Sequence, residues 1–273
     1  MTSLAQPITP TRSTWRHLRL VRAEILKLRR RRGLVVTAGL LTVGAIVILV
    51  VVAVALHAAN AARYEPAGGI SNLRGAVTLI TVLGSVAAIL VGCTAGAGDL
   101  GAGVFRELVV TGRSRLALFA ARIPGGLAFL LFFVGLAYAL SAVSAVVFAG
   151  RFPVPTASTI AAGALWLVVP VAVWFAISLG LASLLGSRTT PIVVLLPFNL
   201  IVSPLLARVT FLGGGRDVFP GGALDRLVPH ALVETSNDSG WPAMSAGTAV
   251  LVLVAWVCVS LAVGAWRTST RDA

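Results

Sequence analysis

Six long apolar runs dominate this chain, separated by short polar or basic stretches. Each is close to the roughly 20 residues that a helix needs to cross the hydrocarbon of a bilayer. The pattern predicts spans at about 34–57, 75–97, 123–149, 159–186, 191–207 and 244–266. In lipid a segment must satisfy its own backbone hydrogen bonds, so such runs fold as helices. The expected fold class is an all-α membrane protein with six transmembrane helices. The transmembrane domain covers 34–266, after a cytoplasmic N-terminus at 1–33 and before a short cytoplasmic tail at 267–273.

Ahead of the first span the period changes. Residues 1–13 are polar and carry Pro7 and Pro10, which argues against regular structure there. Over 14–31, Trp15, Leu18, Val21, Ile25 and Leu28 recur at spacings of three and four, the period of an amphipathic helix. Arg16, Arg19, Glu24 and Lys27 fall on the other side, and Arg22 intrudes on the apolar stripe. Such a helix is expected along the inner membrane surface, its cations near lipid phosphates.

Composition supports the membrane reading. Hydrophobic residues make up 58% of the 273 positions and charged residues only 11%, where soluble domains carry about 25%. The net charge of +13 does not point to nucleic acid, because the cations cluster at the ends of apolar runs. Sixteen Lys and Arg fall in the N-terminal segment, the loops after spans 2 and 4 and the tail; six fall on the other side. The richer side is cytoplasmic by the positive-inside rule, so both termini are expected in the cytoplasm. The strong preference for Arg, with Lys27 the single lysine, reads as bacterial coding bias and places the chain in a bacterial plasma membrane.

Catalytic chemistry is hard to find. No HExxH, nucleophile elbow or GxxxxGK[ST] loop occurs, and there are three histidines, His17, His57 and His230. The two cysteines, Cys93 and Cys258, sit inside apolar runs and read as small hydrophobes; no metal or disulfide framework is expected. All nine acidic residues lie outside the drawn spans, which argues against a proton-coupled carrier. Gly96-Ala-Gly98-Asp-Leu-Gly101 matches GxGxxG, but an apolar helix precedes it where a strand belongs. These glycines are expected to end span 2 and turn the chain.

Two features inside the spans stand out. Gly84, Ala88, Gly92 and Gly96 recur every four residues and make one smooth face, suited to close helix contact in lipid. That contact lies within the bundle or between subunits. In span 5, Asn199 and Ser203 lie on one face between Pro197 and Pro204. They form either a kinked gate on a pathway or an interhelical hydrogen bond. The external loop at 208–243 is the longest; its 224–234 segment is apolar enough for a short helix that dips into the outer leaflet, the alternative being a floppy surface loop.

The most informative stretch is the charged island between spans 2 and 3, residues 98–122. Asp99, Arg106 and Glu107 alternate with Val104, Phe105, Leu108 and Val109, as in a short helix lying on the membrane; Arg113, Arg115 and Arg122 follow. Asp99, Gly103, Arg106, Glu107, Gly112-Arg113-Ser114-Arg115 and Arg122 resemble the corresponding loop of ABC-2 type transporter permeases. The likeness extends to the basic entry helix, the six spans and the external loop between spans 5 and 6.

What the resemblance implies is a permease half without enzymatic activity of its own. Two such chains, as a homodimer or heterodimer, would form the pathway above two separate ABC ATPase subunits, which bind ATP and Mg. The island would be the coupling helix, with Asp99, Phe105, Arg106, Glu107, Arg113 and Arg115 at the ATPase contact. A pathway without charges suits neutral or amphipathic cargo such as drugs, antibiotics or secondary metabolites. The alternative is a stand-alone six-span carrier or channel not driven by ATP.

Overall fold

The computed structural model describes residues 11–101, 114–232 and 244–270. Among these there is no strand. Helix α1 (Thr11–Arg30) ends at a corner formed by Arg31, at φ −81° and ψ 83°. Then come α2 (Arg32–Ala59), α3 (Ile70–Gly101), α4 (Arg115–Val147), α5 (Ala157–Leu185), α6 (Thr189–Arg208), the short α7 (Pro220–Arg226) and α8 (Ala246–Thr270). Helices α2 to α6 and α8 are the six that are long and apolar enough to cross a bilayer, the architecture of a multi-pass membrane protein.

Local chemistry sets the helix ends. Ser114 caps α4, its hydroxyl accepting from the Ala117 N–H at 3.2 Å, and Thr156 caps α5 in the same way. Gly186 closes α5 at φ +66°, a left-handed position that a side chain would strain. Gly68 and Gly69 lie where the α2–α3 connection crosses the end of α4. A Cβ on Gly68 would enter the Phe148–Ala149 peptide, and Gly69 at φ +90° donates to the Ala145 carbonyl at 2.8 Å.

The core lies along α3 and α5. Ala88, Ile89 and Val91 of α3 and Val171, Phe175 and Leu179 of α5 are wholly buried. Helices α2, α6 and α8 flank this pair and turn large apolar side chains outward, among them Ile48, Val193 and Leu251. In water that surface would be costly; against lipid it is the expected outside of a bundle.

Four expectations change. Gly96 and Gly98 do not end span 2: α3 runs through both as far as Gly101, and at Gly96 close packing against α5 outweighs glycine's weak helix propensity. The helix that carries span 3 starts at Arg115, ahead of 123, so the connector between α3 and α4 is shorter than the 98–122 island. Arg122, assigned to that loop, is 2% exposed inside the bundle. At the other end of the bundle, helix α7 begins at Pro220 and stops at Arg226, earlier than the 224–234 segment.

That end is tied together by nitrogen donors on backbone carbonyls. Arg74 of α3 donates to Ala231 at 3.0 Å, Arg216 to Ala207 at 2.8 Å and Arg226 to Met244 at 2.8 Å. Trp256 of α8 donates its indole N–H to Val218 at 2.8 Å. The described part of the 208–243 loop is therefore a packed cap with Ala223 and Leu224 buried.

Candidate functional site

The chemistry gathers where α3 and α4 enter and leave the charged island. The Gly96 carbonyl of α3 accepts from Arg122 Nη1 of α4 at 3.1 Å and from the Ser183 hydroxyl of α5 at 3.4 Å. Ser183 is 2% exposed, like Arg122. A guanidinium buried among apolar helices is costly unless its hydrogens find acceptors, and a backbone carbonyl supplies one. One carbonyl thus joins three helices just ahead of the island.

Neighbouring contacts widen this frame. The Arg31 guanidinium stands beside Gly98, where an added Cβ would lie 2.9 Å from it. Arg115, the first residue of α4, donates to the Ser269 carbonyl near the end of α8 at 3.3 Å. Helix α1 docks on α4 at Gly125, where a Cβ would meet the Cβ of Glu24 at 2.8 Å and the Val21 carbonyl at 3.4 Å. Glu24 is paired with Lys27 at 2.6 Å. Helices α1, α3, α4, α5 and α8 therefore all meet at this end.

Of the expected coupling residues, Asp99 lies in the last turn of α3 and Arg115 opens α4. Phe105, Arg106, Glu107 and Arg113 lie outside the described residues.

The small-residue face packs inside the bundle, against α5. An added Cβ on Gly92 would collide with the Ser178 hydroxyl and stand 2.7 Å from the Phe175 carbonyl oxygen; one on Gly96 would stand 2.7 Å from the Leu179 oxygen. Ala88 is wholly buried, and its carbonyl accepts from the Ser178 hydroxyl at 3.3 Å. Gly84 is looser, with Val171 at 3.5 Å from an added Cβ. This close approach lets serine hydroxyls of one helix reach carbonyls of the next, which a Leu-lined contact would prevent.

Asn199 and Ser203 lie in α6 at a π-type turn, Phe198–Val202, bounded by Pro197 and Pro204. Proline has no N–H to give the helical ladder, and the wider turn accommodates that loss. Ser203 is buried and Asn199 half-buried, and among the described residues neither side chain makes a hydrogen bond. Their neighbour Phe198 stacks between Trp174 of α5, at 6.3 Å, and Phe219 of the cap, at 6.0 Å. A second π-type turn, Leu40–Gly44, interrupts α2.

Sequence reasoning missed Arg31, Ser178 and Ser183 as contact residues. The two serines were signalled only by lying in an apolar helix, five apart. Among the described residues no cluster of His, Cys, Asp and Glu is able to hold a metal ion. No family model matches this chain, and no curated protein sequence matches it.

Proposed function

We propose that this chain is the membrane-spanning permease subunit of an ATP-driven exporter, forming the substrate pathway with a second permease and coupling to a separate ATPase subunit. The observation that carries the reading is the clamp around the island. The Gly96 carbonyl is held by Arg122 and Ser183, and Arg115 is held by Ser269. A force applied to a loop mounted so stiffly reaches five helices at once, whereas a loop on loose ends would absorb it.

In this reading the ATPase pair binds ATP better in its closed form and so favours one state of the bundle. Arg106 and Glu107 make the fixed contacts with the ATPase, supported by Asp99, Phe105, Arg113 and Arg115. Asn199 and Ser203, at the widened turn of α6, would be polar groups on that pathway. The largely apolar interior, whose buried Arg122 is engaged by the Gly96 carbonyl, favours neutral, amphipathic cargo.

The test is charge reversal in the island. Glu107→Lys abolishes transport-linked ATP hydrolysis in the reconstituted complex and leaves the permease's thermal midpoint unchanged. Normal transport-linked hydrolysis in that variant sinks the coupling assignment.

A further inference from the structure

Over residues 21–28 the apolar stripe of α1 faces α4 rather than lipid. Val21, Glu24 and Ile25 lie against Gly125 of α4, and Leu28 is 1% exposed. At about 100° per residue, the opposite side of α1 carries Arg19, Arg22, Leu26, Arg29 and Arg30 within an arc of about 100°. All five are exposed, and Leu26 keeps 50% of its surface. The acid of this helix, Glu24, is engaged by Lys27 on the docked side. Among the described residues no carboxylate pairs with any of the four arginines.

The position of this face matters as much as its charge. The chain turns at Arg31, and the apolar α2 begins at Arg32. The end of this face at Arg29 and Arg30 therefore adjoins the start of the first apolar helix. Four guanidinium groups ringing an exposed leucine fit the boundary of a bilayer: planar forks match phosphate oxygens, and leucine reaches the acyl chains below. An acidic protein surface would match the arginines and leave Leu26 without a purpose.

We propose that the exposed face of α1 is a headgroup site for anionic phospholipid. Lipid bound there holds α1, and through Gly125 the first turns of α4, at the membrane surface. The site is independent of any ATPase.

The test uses the purified full-length protein in mild detergent, titrated with phosphatidylglycerol or phosphatidylcholine of the same acyl chains and read by native mass spectrometry. An arginine near an anionic leaflet contributes about fivefold in affinity, so phosphatidylglycerol is expected to bind at least ~10-fold more tightly than phosphatidylcholine. Replacing the four arginines together by glutamine removes that preference, and replacing them by lysine keeps most of it. Equal binding of the two lipids by the unaltered protein overturns the proposal, whether or not the variants fold. So does a monodisperse glutamine variant that still prefers phosphatidylglycerol. Loss of a co-purifying protein from that variant, with lipid preference intact, assigns the face to a protein partner and also overturns it.

Discussion

Gly92→Ala is the sharpest probe of how α3 and α5 are held together. The new methyl group would collide with the Ser178 hydroxyl and sit 2.7 Å from the Phe175 oxygen and 3.2 Å from the Leu179 nitrogen. Two of these three atoms belong to backbone, so no rotamer change relieves the clash. The helices must separate or Ser178 must turn away. Overpacking of this kind costs about 1–3 kcal/mol. Displacing Ser178 also sacrifices its bonds to Phe175 at 2.9 Å and Ala88 at 3.3 Å, each worth about 0.6 kcal/mol in a membrane bundle. The expected loss is about 2–4 kcal/mol, against a helix-propensity gain of up to about 1 kcal/mol for Gly→Ala. Gly135→Ala is the matched control, since a Cβ there meets nothing within 4 Å.

Cys93 is a built-in reporter: it is wholly buried, next to Gly92, with Sγ 3.9 Å from the Ser178 oxygen. On a Cys258→Ser background, heating in detergent with a thiol-reactive fluorophore reads its exposure. At about 2–4 °C per kcal/mol for a chain of this size, a net loss of about 1–3 kcal/mol means that Gly92→Ala should lower the midpoint by about 2–12 °C, and Gly135→Ala should leave it level or raise it. Equal midpoints for the two variants would refute the close α3–α5 contact.

Other expectations follow from the same contacts. Leu28→Ala removes a buried anchor of α1 and costs about 2–4 kcal/mol; trypsin should then cut at Lys27 and Arg29 faster, and an unchanged rate contradicts the docking of α1. Arg122→Ala and Ser183→Ala share one acceptor at Gly96, so a double-mutant cycle in the thiol assay should show a coupling of at least about 0.5 kcal/mol; simple additivity argues against the shared carbonyl. A cysteine placed at Glu65 should react with an impermeant thiol reagent in intact cells, and one at Arg267 should not; the reverse pattern inverts the orientation read from charge.

The spans were legible because hydropathy summed over about 20 residues is a strong signal that no tertiary contact reverses. The small-residue face was legible as a contact, though glycine spacing alone did not name the partner; Ser178 and Ser183 on a distant helix did. Hydropathy misplaced Arg122, since it treats an arginine as the edge of a span. The carbonyl that makes its burial tolerable belongs to Gly96, on another helix. Gly96 and Gly98 read as a stop by propensity, yet α3 continues through them to Gly101, with Gly96 packed on Leu179. Periodicity found the apolar stripe of α1 and set it on the inner membrane surface. Lipid and α4 are equally apolar, and Gly125 decided between them. The island's charges were plain in the sequence, but no pattern within one chain specifies what they contact.

The central claim is that an ATPase works on this bundle through the island. The most direct measurement is a gentle-detergent pull-down of the tagged chain from its own host, with the eluate assayed for ATP hydrolysis. The account predicts a co-purifying ATPase that is lost when residues 104–110 are altered. A solitary, monodisperse protein without ATPase activity would contradict it, and the chain would then be a carrier or channel that works alone.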